Sequence, residues 1–193
     1  VLGEERNLMD PRELQFAAYE AQERATEVSR LSPDHGPRHW RDVARIALVI
    51  APGWAPISYD FLFLFAAIHD TQREDEYDDP LHGDRAARVA RHLAATKVAT
   101  LPPEAPTTLL SEAISDHDKG FTAADANVAT CWDADRLTLI RVGHRLDPQY
   151  FSLEDVRDNL HHYTTKAAEI IIGADMKWGN IAHLYAERKR VTA

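Results

Sequence analysis

One cysteine, Cys131, stands among 193 residues, so no internal disulfide framework is encoded and a reducing compartment suits the chain. Its apolar neighbours predict a buried, inert thiol. Long apolar runs are lacking as well. The longest, Phe61 to Ile68, falls far short of the roughly 20 residues that cross a bilayer, and it ends in His69-Asp70. No stretch alternates apolar and polar residues with β-branched enrichment, which excludes a sheet-based reading. Positive charge is in deficit: 22 Lys and Arg against 31 Asp and Glu leave a net charge of −9. Such a surface repels a nucleic-acid polymer, whereas a small anion remains approachable where a few arginines gather. The charged N-terminal stretch VLGEERNLMD does not read as a secretory signal, so a cytoplasmic protein without membrane attachment is expected.

What the chain does contain is helical periodicity, and the predicted class is all-α. Asp10 as N-cap and Pro11 as first helical residue open a helix expected to reach Arg30, its stripe being Leu14, Ala17, Ala18, Ala21, Ala25 and Val28. A second runs from about Pro37 to Ala51. The third starts near Ser58 and is apolar on every side, which predicts the centre of a bundle. Further helices are expected at 80–96, 107–117, 123–142, 153–163, 166–172 and 175–190, with Gly120 at a C-cap. At this length one domain is expected over 1–193. The last helix carries Trp178, Ile181, Leu184 and Tyr185, which either cover the bundle or meet a second copy in a homodimer.

Polar residues on apolar stripes call for partners. His39 shares a face with Val43, Ile46 and Ile50, and His69 with Phe61 and Phe65. His82 aligns with Ala86, Val89 and Leu93, and His117 with Leu110 and Ile114. Asp135 aligns with Val128, Trp132 and Leu139, while Asp133 is rotated away. Any one of these is ordinarily a hydrogen-bonded core residue. Together they would cost about 1–3 kcal/mol apiece if unpaired, and one divalent cation satisfies them all.

The order His39, then His69-Asp70, then Asp135 within CWDADRL resembles the HD superfamily of metal-dependent phosphohydrolases, over roughly 31–142. HGPRHW, with a histidine four residues before the first ligand, strengthens the likeness. The resemblance implies an HD-type helical bundle, with residues from about 147 as a C-terminal helical extension. It implies His39, His69, Asp70 and Asp135 as ligands of one ion. His82 and His117 would be the additional ligands of a two-metal branch, or His82 would instead bind substrate or cap its helix. Iron, manganese, nickel, zinc and magnesium are not distinguishable from such ligands. The implied reaction is hydrolysis of a phosphate ester or anhydride in a small molecule, such as a nucleotide, by metal-activated water, with Asp70 bridging the ions where two bind. Glu74 is the family-type candidate for proton handling, against a solvated loop acid. His35 is expected either to donate to substrate or to steady its loop. Arg73, Arg85, Lys119 and Arg136 lie close enough in sequence to the ligands to grip phosphate. Asp133 is a candidate to orient a ligand histidine. His161 and His162 read as surface residues. The competing classes are an HD-fold diiron oxygenase and a non-catalytic module stapled by a structural metal. No base-recognition signature identifies the substrate, and Trp40, Tyr77 and Phe121 suit core packing as well as stacking.

Overall fold

The computed structural model describes residues 9–103 and 105–192. The N-terminal stretch discussed above lies outside these residues, apart from Met9 and Asp10. Among the described residues the chain is all-α, with ten α-helices and no strand. No helix there is long and apolar enough to cross a membrane.

Asp10 caps α1 (Pro11–Glu23) through a capping box: its carboxylate accepts from the Arg12 and Glu13 amides, and Glu13 answers from the other side. The helix stops seven residues earlier than its stripe suggests. Thr26 turns the chain aside, donating its amide to the Thr71 carbonyl at 2.9 Å and accepting from Ser29 to cap α2 (Glu27–Leu31). Thr26 Oγ1, donating to the Arg73 carbonyl, and the Ser29 side chain also tie α2 to the segment that follows the His69-Asp70 pair. Ser29 Oγ donates to the Asp70 carbonyl at 2.7 Å and accepts from the Arg73 amide at 2.9 Å.

Helix α3 (Pro37–Ile50) and the central α4 (Tyr59–Ile68) follow. Every residue of α4 is buried, including Phe61, Phe63 and Phe65. Each such side chain contributes about 1.5–3 kcal/mol, enough to carry polar groups at both ends of the same rod. Around it stand α5 (His82–Ala95), α6 (Thr107–Asp116) and α7 (Ala126–Thr138). The α5–α6 pair packs as one unit, and α3 lies along α7. Helix α7 is shorter than expected: it tightens into a 3-10 turn, Leu139–Val142, closed by Gly143 at φ 81°.

The C-terminal helices differ in their breaks. Asn159 ends α8 (Glu154–Asp158) by bonding back to Asp155, and α9 (Leu160–Ile172) then runs unbroken through 163–166, where a gap was expected. Helix α10 (Trp178–Thr192) lies against α1, α4 and α3, with Trp178, Ile181 and Tyr185 buried, so it covers the bundle. Cys131 is buried, and His161 and His162 are exposed.

Candidate metal centre

Five helix-borne segments deliver polar side chains to one place. His39 comes from the first turn of α3, and His69 and Asp70 from the end of α4. His82 opens α5, His117 caps α6, and Asp135 projects from α7. Around one carboxylate oxygen, Asp70 Oδ2, His39 Nε2 lies at 3.4 Å and His69 Nε2 at 3.8 Å. Asp135 Oδ1 stands 3.3 Å from His39 Nε2 and 3.6 Å from His69 Nε2. Around the other oxygen, Asp70 Oδ1, His82 Nε2 lies at 3.2 Å and His117 Nε2 at 3.5 Å. The Asp70 carboxylate therefore sits between two sets of imidazoles.

The imidazoles are oriented from behind. Nδ1 of His69 donates to the Ala66 carbonyl at 3.2 Å, that of His117 to Ile114 at 2.7 Å, and that of His82 to Asp79. A carbonyl can only accept, so each Nδ1 carries hydrogen and each ring, when neutral, turns its Nε2 lone pair inward. His39 Nε2 approaches His69 Nε2 at 3.2 Å, and His82 Nε2 approaches His117 Nε2 at 3.1 Å. Lone pairs facing one another at such range repel unless a cation or a shared proton lies between them. Asp70 Oδ1 is buried without a hydrogen-bond donor.

This arrangement fits a metal. Donors held about 2.0–2.2 Å from one ion stand roughly 3–3.5 Å apart, close to most of the spacings here. The buried His and Asp groups can hold a metal ion. Electrostatics agree: burial, then Arg141, push the His39 imidazole below its usual range, keeping it in the neutral form a ligand needs. Burial alone would raise Asp70 and Asp135, yet the surrounding histidines hold both carboxyls well below the usual range. His117 differs: burial opposes its charge, but Asp70 lifts it to about 9, so an ion bound at this ring displaces a proton.

A pocket of about 390 Å³ opens over the cluster, reaching Asp70, His82, His117 and Asp135 at its floor. His35 lines it, with Nδ1 3.2 Å from Asp70 Oδ2, and the Trp40 indole donates to the His35 carbonyl at 2.7 Å to hold that loop. Arg73 and Arg136 also line it. Arg136, however, directs its guanidinium to the carbonyls of Tyr150 and Phe121, so it builds the wall. Other candidates fall outside. Glu74 is 68% exposed and turns toward Arg85. Arg85 is engaged by Asp79 and the Gln72 carbonyl, and Lys119 by Asp116. Neither they nor Glu74 line the pocket. Asp133 orients no ligand histidine; it is fully buried and accepts from the Ser152 and Leu153 amides, pinning the chain ahead of α8. Trp40 is core, while Tyr77 is exposed.

The pocket also holds Arg141, His144 and Arg145, which the sequence reading did not single out, beside Leu139, Leu146, Tyr150 and Phe151. Arg141 reaches the Asp34 carbonyl at 2.8 Å and lies 3.5 Å from His35 Nδ1. No periodic signal marks this irregular segment, though its two arginines and one histidine within five residues were a compositional hint. Comparison with protein-family models, curated proteins and solved structures returned no match for this chain.

Proposed function

We propose that the chain is a metal-dependent phosphohydrolase of the HD type, acting on a phosphate ester or anhydride in a small molecule such as a nucleotide. One observation carries the reading: a buried carboxylate, Asp70, set between histidines whose Nε2 lone pairs converge, at the floor of an arginine-rimmed pocket. His39, His69, Asp70 and Asp135 would hold the ion. Once bound, a divalent ion of this kind supplies Lewis acidity, drawing the pKa of water toward neutrality and polarising a phosphoryl oxygen.

The chain's own residues do the rest. Arg141 and Arg145 receive the phosphoryl charge at the rim. His35, facing the pocket beside Asp70, moves a proton at the attacking or leaving oxygen. Leu139, Leu146, Tyr150 and Phe151 give the organic half of the substrate an apolar wall. At about 390 Å³ the pocket lies within the range of roughly 300–1,000 Å³ usual for small ligands and takes no polymer.

The test is to strip the protein with a chelator, reload it with Mn²⁺, Fe²⁺, Ni²⁺ or Zn²⁺, and follow phosphate release across nucleotides and dinucleoside polyphosphates. Release that depends on the ion is expected. Asp70→Ala should lose ion affinity by at least the 10–100-fold seen for supporting groups, and turnover with it. Oxygen uptake on organophosphonates without phosphate release would replace the reading by an oxygenase. An inert, metal-loaded parent that unfolds on losing Asp70 would reduce it to a staple.

A further inference from the structure

The two sides of Asp70 are not electrically equal. On the Oδ2 side two carboxylates, Asp70 and Asp135, face His39 and His69, and the ion-pair partners of Asp135 are those two histidines. A doubly charged ion is balanced there. On the Oδ1 side the shared carboxylate alone faces the Nε2 atoms of His82 and His117, Asp118 Oδ2 lying 3.8 Å from the outer His82 Nδ1, and a fixed cation is already present. Arg73 Nη1 lies 3.6 Å from Asp70 Oδ1 and 3.3 Å from His82 Nε2. Because His82 Nδ1 donates to Asp79, its Nε2 is the acceptor of the Arg73 N–H, and that lone pair is engaged.

Arg73 is also held where it lies. It is 7% exposed, and its amide donates to Ser29 Oγ at 2.9 Å. Its carbonyl accepts from Thr26 Oγ1, and its Nη2 donates to the Glu76 carbonyl at 3.4 Å. Its Nε is buried without a hydrogen-bond partner, a loss the chain tolerates to keep this charge beside Asp70.

We infer that the Arg73 guanidinium is the built-in cation of the Asp70 Oδ1–His82–His117 half-site. The chain then holds one divalent ion firmly at His39, His69, Asp70 and Asp135, and admits a second only by displacing Arg73. This rests on the metal-centre reading above but not on the reaction proposed for it. It moves Arg73 from gripping substrate to setting how many ions the centre carries.

Ion counting tests it. Apo protein is titrated with Mn²⁺, following free ion by electron paramagnetic resonance and bound ion by elemental analysis, with a melting curve to confirm folding. The parent should take one ion firmly and a second at least about tenfold more weakly, because a guanidinium a few ångströms away repels it. Arg73→Met should raise the second ion's affinity at least about tenfold and leave the first unchanged. Arg73→Gln is read in its place if the methionine variant does not fold. Adding His82→Gln should return the count to one. Two ions of equal affinity in the parent, or a second affinity unmoved by losing Arg73, would overturn the inference. A second ion surviving His82→Gln would overturn its placement. The hydrolase reading is judged separately by phosphate release, so either can fail alone.

Discussion

His69, His82 and His117 share one habit: each donates Nδ1 to the carbonyl three residues before it. The last turn of a helix, or the loop just ahead of one, has carbonyls to spare, so the backbone itself fixes these rings. That detail was half legible. Helical spacing placed His39 and Asp135 on inward stripes, and the structure brings both into the cluster. The same spacing turned Asp133 outward, and it is buried nonetheless, because the Ser152 and Leu153 amides fold over it from a segment without periodicity. Arg136 looked like a phosphate ligand only because its partners are backbone carbonyls, which no side-chain pattern records. Asp42 offers a pH test away from the cluster. Burial pushes its carboxyl up to about 6, against Arg38 and Arg45. The folded chain therefore holds that proton more tightly than the unfolded chain, and the associated stability is present at low pH and lost as pH rises from about 4 to 6. Asp42→Asn removes this loss. Urea midpoints at pH 4, 5, 6 and 7 should show the variant gaining on the parent through that window, by roughly 2–3 kcal/mol at most.

Helix boundaries decide how the half-sites meet. Gly83, second residue of α5, lies against the end of α6, where an added Cβ would stand 2.8 Å from the Ile114 carbonyl oxygen and 2.9 Å from that of Ser115. Ile114 is also the carbonyl that orients His117. Gly83→Ala should therefore force the two helices apart, costing about 1–3 kcal/mol in urea unfolding. It should weaken Mn²⁺ binding that depends on His82 and His117 more than binding that depends on His39 and Asp135. Of the elements, α3, α4 and α6 were readable to within a residue or two, since stripe and punctuation agreed. The break between α1 and α2 was not. Apolar periodicity continues through Ala25, and what ends the helix is a long-range bond from Thr26 to Thr71.

Across the whole molecule, stability and the candidate metal centre draw on opposite ends of α4. At its start, buried Asp60 is ion-paired with Lys189 of α10, which also donates to the Met9 carbonyl at 2.8 Å. Nine residues on, about 14 Å along the axis, is His69. Lys189→Met leaves a buried carboxylate without its ammonium and should cost about 3–5 kcal/mol, while Mn²⁺ affinity at the far end stays unchanged. Calorimetry and ion titration on one sample check both. Chelation should do the converse, lowering the melting temperature while leaving the Asp60–Lys189 end intact.

The ends of α4 and α6 both point their carbonyl-rich termini at the cluster, by way of His69 and His117. Their partial negative charge is offset by the N-termini of α3 and α5, which bring His39 and His82, so the negative charge of the floor is that of Asp70 and Asp135. On the proposed reading, oxyanions are thus turned away from the floor until a cation has settled there, which would set the order of loading: ion first, phosphate after. Inorganic phosphate alone should fail to protect the apo chain against heat, yet protect it once Mn²⁺ has been supplied.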